Sequence, residues 1–205
     1  MKKSSVQSWS MREGAINLPN LITLLRIALI PVVLTLVFSG TPRSNVYAAL
    51  VYTLAAVSDF LDGWLARRNG LITLLGRLLD PLADKLLVVS VLVFLIWMGR
   101  VPLQGVVASI LIFSREFWVS SLRVLAMGEG VIVASRRSGK DKTALQMVAL
   151  FALIMHHPYQ LDFLFTRVEV DMNTVGLWLL YLSLIPAIAS ALQYSLLLFR
   201  PVDVD

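Results

Sequence analysis

Four aspartates in the first half of the chain are spaced as candidate metal ligands. Asp59 and Asp62 are three positions apart, and Asp80 and Asp84 are four apart, so on helices each pair would share one face. Carboxylates crowded into an apolar setting repel one another and are costly unless cations neutralise them. Hard, oxygen-preferring ions such as Mg²⁺ are their natural partners. A site with two such ions suits phosphoryl chemistry, and we predict one here.

The composition indicates which elements must position these acids. The chain has 205 residues, of which 58% are hydrophobic, and a mean hydropathy of +0.78, which is far more apolar than a soluble domain of this length. Cysteine is absent, which excludes thiolate catalysis, thiol metal ligands and disulfides. The net charge of +5 is explained better by the positive-inside bias of a membrane protein than by nucleic-acid binding. We predict an all-α integral membrane protein with no nucleic-acid partner.

The apolar segments predict six transmembrane helices in a single domain covering residues 1–205. The polar and mildly basic residues 1–17 precede them as an interfacial segment, with a short helix on the membrane surface. The spans are expected at about 18–38, 46–65, 74–98, 103–125, 143–155 and 175–199. Residues 158–173 are expected to form a polar connection.

The distribution of Lys and Arg predicts the orientation of these spans. The acids fall near the end of the second span and the beginning of the third, and therefore at one membrane face. Basic residues are concentrated on that side, which holds both termini. By the positive-inside rule, the termini and the aspartates face the cytoplasm.

The spacing of the acids and their neighbours resembles a known signature. The pattern D-x2-D-G-x2-A-R-x8-G-x3-D-x3-D, typical of the CDP-alcohol phosphotransferases, is matched by Asp59, Asp62, Gly63, Ala66, Arg67, Gly76, Asp80 and Asp84. The resemblance implies a membrane enzyme that binds two divalent cations, Mg²⁺ with Mn²⁺ as the alternative. A CDP-linked donor would place its diphosphate on the metals, and an alcohol would attack the β-phosphorus with CMP as the leaving group. Carried over by position, Asp59, Asp62 and Asp80 are metal ligands, and Asp84 is both a ligand and the general base.

The same resemblance implies a binding site for the CDP-linked lipid. Asn20, Thr23 and Arg26 match an N-x2-T-x2-R pattern on the first helix, which in the family lies against the nucleotide-lipid site. An arginine inside an apolar span is costly and is usually retained for a partner. The residues implied in binding CDP-diacylglycerol are Thr23, Arg26, Gly63, Arg67, Thr73 and Gly76.

A wider similarity indicates the acceptor. Residues 17–26, Arg115-Glu116 and the run from Gly139 to Gln146 resemble the bacterial phosphatidylglycerophosphate synthase branch of this family. This implies transfer of a phosphatidyl group from CDP-diacylglycerol to sn-glycerol 3-phosphate, by a homodimer among the lipids of the bacterial inner (cytoplasmic) membrane. A helix start carrying two lysines suits a phosphate. The residues expected to bind the acceptor phosphate are Arg115, Arg123, Lys140 and Lys142.

Two alternatives remain open from the residues alone. A cardiolipin synthase or a phosphatidylinositol phosphate synthase of the same family would share the aspartates and differ in the acceptor. An ion or proton transporter would also place acids within a membrane, but transporters tend to hold them near the midplane on broken helices. Here the acids cluster at one face.

Overall fold

The described part of the chain forms six helices and one hairpin. The computed structural model describes the backbone of residues 18–69, 74–128, 138–163 and 166–198, and the side chains of 21–58, 82–83, 85–122, 144–160 and 168–196. The helices are α1 (Leu18–Phe38), α2 (Pro42–Asn69), α3 (Leu74–Trp97), α4 (Leu103–Gly128), α5 (Ser138–Met155) and α6 (Met172–Leu198), and the strands are β1 (Pro158–Phe163) and β2 (Thr166–Asp171). The segment 1–17, expected to be interfacial, lies outside the described residues.

Each of the six apolar segments contains one helix, and α1 has the expected bounds. Three stretches are long and apolar enough to cross a membrane, within the part of the chain that is described: Leu21–Phe38, Leu103–Leu122 and Met172–Leu196. Large apolar side chains remain exposed on the outer surface of the bundle, as in Leu54, Trp97 and Ile185. An apolar exterior of this kind is stable only in contact with lipid or another apolar surface, which agrees with a membrane protein.

The core forms where the helices pack against one another. Helix α1 packs on α2 and α3, α5 packs on α6 and α2, and α4 packs on α6. Val33 of α1, Tyr52 of α2, Leu95 of α3, Leu153 of α5 and Leu180 of α6 belong to one buried cluster. This arrangement brings the two helices that carry the aspartates against a common partner, α1.

Helices α5 and α6 come together at Gly176. A Cβ atom at this position would lie 2.7 Å from Cγ of Leu153, 2.8 Å from its backbone nitrogen and 3.0 Å from the carbonyl oxygen of Ala149. Two of these atoms are backbone and cannot rotate away. A small residue at a membrane helix interface permits such close backbone approach, so Gly176 sets the separation of α5 and α6.

The connection expected between the last two helices is a β-hairpin, and the all-α prediction is wrong in this segment. Strands β1 and β2 pair antiparallel, with Tyr159 opposite Val170 and Leu161 opposite Val168. Apolar residues alternate with polar ones along both strands, which is the two-residue period of a strand. The strands were missed because the segment was predicted to be a connection from its overall polarity.

A buried arginine joins four segments at the hairpin end of the bundle, where α1 ends and α2 begins. Arg100 is only 6% exposed. Its Nη1 donates to the carbonyl oxygen of Ile154 at 3.3 Å, and its Nη2 donates to the carbonyl oxygen of Val37 at 3.1 Å. Both nitrogens also reach Oδ1 of Asn45 at 3.4 Å.

The cation thus lies at the carboxyl ends of α1 and α5, where helix dipoles favour positive charge. The carbonyl of Ile154 needs this donor, because the residue four positions later is Pro158, which has no N–H. Burial lowers the pKa of Arg100, but an arginine remains charged at neutral pH.

The start of α6 is fixed beside this arginine. Asp171 accepts hydrogen bonds from the backbone N–H of Asn173 at 3.1 Å and from the hydroxyl of Thr174 at 2.5 Å, which makes it the N-cap of α6. The hydroxyl of Thr174 is the main reason that the pKa of Asp171 is lowered.

His156 lies next to this cap in a left-handed conformation, with φ of 62°. Desolvation is the main cause of its lowered pKa. Arg100 and His157 lower the pKa further, whereas Asn173 and Asp171 oppose the shift.

Candidate active site

The four aspartates lie on the adjoining ends of α2 and α3. Asp59 and Asp62 are in the second half of α2, and Asp80 and Asp84 are in the first half of α3. Four residues separate Asn69 from Leu74, so covalent geometry alone keeps these helix ends within roughly 18 Å. The side chains of the four acids lie outside the described residues. We call the adjoining ends of α2 and α3 the motif end of the bundle.

Helix periodicity relates the acidic positions of α2 to its buried stripe. Tyr52 and Ala55 are buried, with exposures of 1% and 0%. Positions 59 and 62 continue that stripe at spacings of four and three residues.

The same relation holds on α3. Leu87 and Val91 are each 1% exposed, and positions 80 and 84 extend their stripe toward the amino end of the helix. By helical spacing, both acid pairs therefore continue the buried stripes of α2 and α3.

The donor chemistry of this set fits a hard divalent cation. Carboxylates in an apolar bundle require cations for neutralisation, and all-oxygen ligands select Mg²⁺ or Mn²⁺ over softer ions. Among the side chains that are described, no group of three His, Asp or Glu residues is arranged to hold a metal. Within that part, the rings of the adjacent His156 and His157 stack edge to face, with centroids 5.4 Å apart.

Helix α1 contributes two buried polar residues beside the acid-bearing part of α2. Thr23 is 0% exposed and Arg26 is 1% exposed. The Nε atom of Arg26 donates to the carbonyl oxygen of Ala55 at 3.1 Å, one helical turn before Asp59. A guanidinium buried at this level is adjacent to the segment expected to bind a diphosphate, although the predicted role in binding the lipid donor stays a prediction.

Arg115 is engaged by α6. Its Nε donates to the carbonyl oxygen of Ala187 at 3.0 Å, while its terminal nitrogens contact Ser190 and Glu116. These bonds use three of the five N–H groups of a guanidinium, leaving one on each terminal nitrogen. The structure therefore gives Arg115 a role in joining α4 to α6, and the predicted phosphate contact would depend on the two remaining donors.

The other residues expected in the site are located only by their helices or not at all. Gly63 and Arg67 lie on α2, Gly76 on α3 and Arg123 on α4. Lys140 and Lys142 lie in the first turns of α5, and their binding of a phosphate stays a prediction. Their side chains lie outside the described residues, and Thr73 is in the undescribed segment between α2 and α3.

One residue near the acids was overlooked in the sequence. Lys85 directly follows Asp84, and its Nζ donates to the hydroxyl of Ser120 on α4 at 3.3 Å. It also lies 5.7 Å from the ring centroid of Phe117. A lysine inside an apolar segment was the available signal, since such residues are usually retained for a partner.

The chain belongs to the CDP-alcohol phosphatidyltransferase family, whose family model matches residues 16–189. This confirms the expectations of the family and of a transferase.

Curated relatives agree with this assignment. The chain is 39% identical over 158 residues to the CDP-diacylglycerol–glycerol-3-phosphate 3-phosphatidyltransferase of Bacillus subtilis, covering 71% of this chain and 80% of the relative. It is 41% identical over 139 residues to the protein of the same name in Rickettsia bellii, covering 68% and 75%. It is 40% identical over 147 residues to a probable phosphatidylglycerophosphate synthase of Mycobacterium tuberculosis, covering 69% and 68%.

Proposed function

We propose that this protein transfers the phosphatidyl group of CDP-diacylglycerol to sn-glycerol 3-phosphate, forming phosphatidylglycerol phosphate and CMP. The names of these relatives support both substrates. The observation that carries the proposal is the placement of two aspartate pairs on adjoining helix ends, at positions that continue the buried stripes of α2 and α3.

Asp59, Asp62, Asp80 and Asp84 would hold two divalent cations, Mg²⁺ or Mn²⁺. When bound, such ions neutralise charge that develops on the diphosphate oxygens during phosphoryl transfer. In the reaction, the acceptor hydroxyl oxygen bonds to the β-phosphorus while the bond from that phosphorus to the CMP oxygen breaks. Asp84 takes the proton of the attacking hydroxyl as general base.

The lipid donor would lie between α1 and the ends of α2 and α3. Arg26 is fixed there by its bond to Ala55, so its charge is positioned before the donor binds, which limits reorganisation during the reaction. Thr23, Gly63, Arg67, Thr73 and Gly76 complete the proposed donor site.

The acceptor phosphate would be bound by Arg123, Lys140 and Lys142, with Arg115 contributing through its two remaining donors. The first turns of α5 supply backbone N–H groups and the positive end of the helix dipole, both of which favour a phosphate. Arg115 would hold α4 at a constant position relative to α6 whether or not it touches the acceptor.

The proposed membrane arrangement has six spans, with the motif end facing the cytoplasm of a bacterial inner membrane and two copies forming a dimer. Helix lengths support the six spans: α2 and α3 have 28 and 24 residues, roughly 42 Å and 36 Å at the rise of an α-helix. The apolar part of α5 is shorter, Ala144–Met155. At the opposite end, Phe38 and Trp97 stack with ring centroids 6.3 Å apart, as aromatic residues do at membrane interfaces.

The direct test is CMP release by purified protein in detergent with CDP-diacylglycerol and Mg²⁺. Glycerol 3-phosphate, phosphatidylglycerol and inositol phosphate are supplied in parallel. Release with glycerol 3-phosphate alone is expected. Release only with another acceptor would overturn the acceptor assignment but retain the mechanism, and absence of release with every acceptor and metal would overturn the proposed function.

A further inference from the structure

Lys85 connects the acid-bearing helix α3 to α4 by a polar contact. The contact combines the hydrogen bond to Ser120 with the approach to the ring of Phe117. Phe117 is itself 65% exposed on the outer surface. A lysine placed only for solubility would extend its ammonium toward the headgroups, whereas this ammonium is directed at a hydroxyl on a neighbouring helix.

Helix α4 is a fixed support for this contact. Arg115 binds the carbonyl oxygen of Ala187 and the hydroxyl of Ser190 on α6. Trp118 donates from Nε1 to the hydroxyl of Ser195 on α6 at 3.0 Å. These contacts lie within five residues of Ser120 along α4, so the partner of Lys85 is restrained by a second helix.

Helix geometry relates the position of Lys85 to that of the acids. Rotating α3 by 20° about its axis would move a Cα by about 0.8 Å and a group at 5 Å from the axis by about 1.7 Å. Functional groups need to be held within about 0.5 Å and 10–20° of their productive geometry. Because Lys85 adjoins Asp84, restraining Lys85 against α4 restrains the rotation of the segment that carries Asp80 and Asp84.

We infer that Lys85, through Ser120, is a positioning residue that fixes the rotation of α3 and thereby the geometry of the metal-binding acids. The inference rests on the proposed function, because it requires the acids to bind divalent cations. A lysine that only packs against Phe117 would affect folding but would leave metal dependence unchanged.

The test compares Lys85→Met, Lys85→Arg and Ser120→Ala with Ser114→Ala, an exposed serine on the same helix. CMP release is measured while Mg²⁺ and glycerol 3-phosphate are varied separately. Thermal unfolding is measured with and without Mg²⁺, because an ion that binds only the folded state raises the midpoint. The unfolding readout does not depend on turnover.

Lys85→Met should lower kcat about tenfold or more, raise the Mg²⁺ concentration for half-maximal activity severalfold and reduce the Mg²⁺-induced rise in melting temperature. The KM for glycerol 3-phosphate should stay within about twofold, Lys85→Arg should restore part of kcat, and Ser120→Ala should show the same changes more weakly. Wild-type Mg²⁺ dependence in both Lys85→Met and Ser120→Ala would overturn the inference. Losses of kcat and of Mg²⁺ affinity in Ser114→Ala equal to those in Lys85→Met would also overturn the inference. A wild-type protein that is inactive but shows a normal Mg²⁺-induced rise in melting temperature would instead contradict the proposed function.

Discussion

Removing the guanidinium of Arg100 should destabilise the hairpin end of the bundle without changing the structure of the motif end. In Arg100→Met, Oδ1 of Asn45 and the carbonyl oxygen of Ile154 lose their only hydrogen-bond donors among the described contacts. The carbonyl oxygen of Val37 keeps a bond from the N–H of Gly40 at 3.1 Å.

Each orphaned buried acceptor costs about 1–3 kcal/mol, so two give about 2–6 kcal/mol. Burying a methionine instead of a cation offsets part of this cost, because the charge no longer has to be desolvated. A net loss of about 3 kcal/mol corresponds to a fall of about 6–12 °C in the midpoint for a chain of this size.

The assay is thermal unfolding in detergent, followed by tryptophan fluorescence. Arg43→Met is the matched control, because Arg43 is exposed at the same end of the bundle and should change the midpoint by no more than about 2 °C, as surface substitutions do. Arg100→Lys should give an intermediate fall, since a single ammonium cannot reach all three acceptors. If Arg100→Met unfolds at the same temperature as Arg43→Met, the role assigned to Arg100 is wrong.

Two further substitutions test the packing of α6 and the surroundings of its amino end. Gly176→Ala places a methyl group 2.8 Å from the backbone nitrogen of Leu153 and should lower the free energy of unfolding by about 1–3 kcal/mol. Gly105→Ala, whose new Cβ would meet side-chain atoms only, should cost clearly less. Equal melting temperatures of the two variants would contradict the argument from the backbone contact. Because the pKa of His156 is lowered in the folded protein, the unfolded chain binds more protons than the folded chain just below pH 6.5. Stability should therefore be constant above that pH and fall as the pH decreases between the unfolded and folded pKa values. His156→Asn, which tolerates a positive φ, should flatten this part of the melting profile, and an unchanged profile would show that another group causes it.

Sequence reasoning located the helices because long apolar runs separated by short polar turns are a local signal. Helix α1 was predicted at both bounds, and the spacing of the aspartates correctly assigned each pair to one helix. The hairpin was missed because β1 and β2 are each only six residues long and carry charges, which masked their alternating pattern.

The contacts of the arginines and of Lys85 depend on residues distant in the chain. Arg100 lies in the turn after α3, and its acceptors are 54 to 63 residues away in the chain. Arg115 was predicted to bind the acceptor phosphate, while its partners on α6 are 72 and 75 residues away in the chain. Such partners become visible only once the packing of the helices is known.

The central claim is that the acids at the adjoining ends of α2 and α3 perform the transfer. The measurement that tests it most directly is CMP release from CDP-diacylglycerol and glycerol 3-phosphate by Asp84→Asn beside the wild type, with thermal unfolding of both proteins as the control for folding. We expect a folded variant whose turnover is at least about a hundredfold lower, as for loss of a general base. A folded Asp84→Asn protein that releases CMP at near wild-type rate would contradict it.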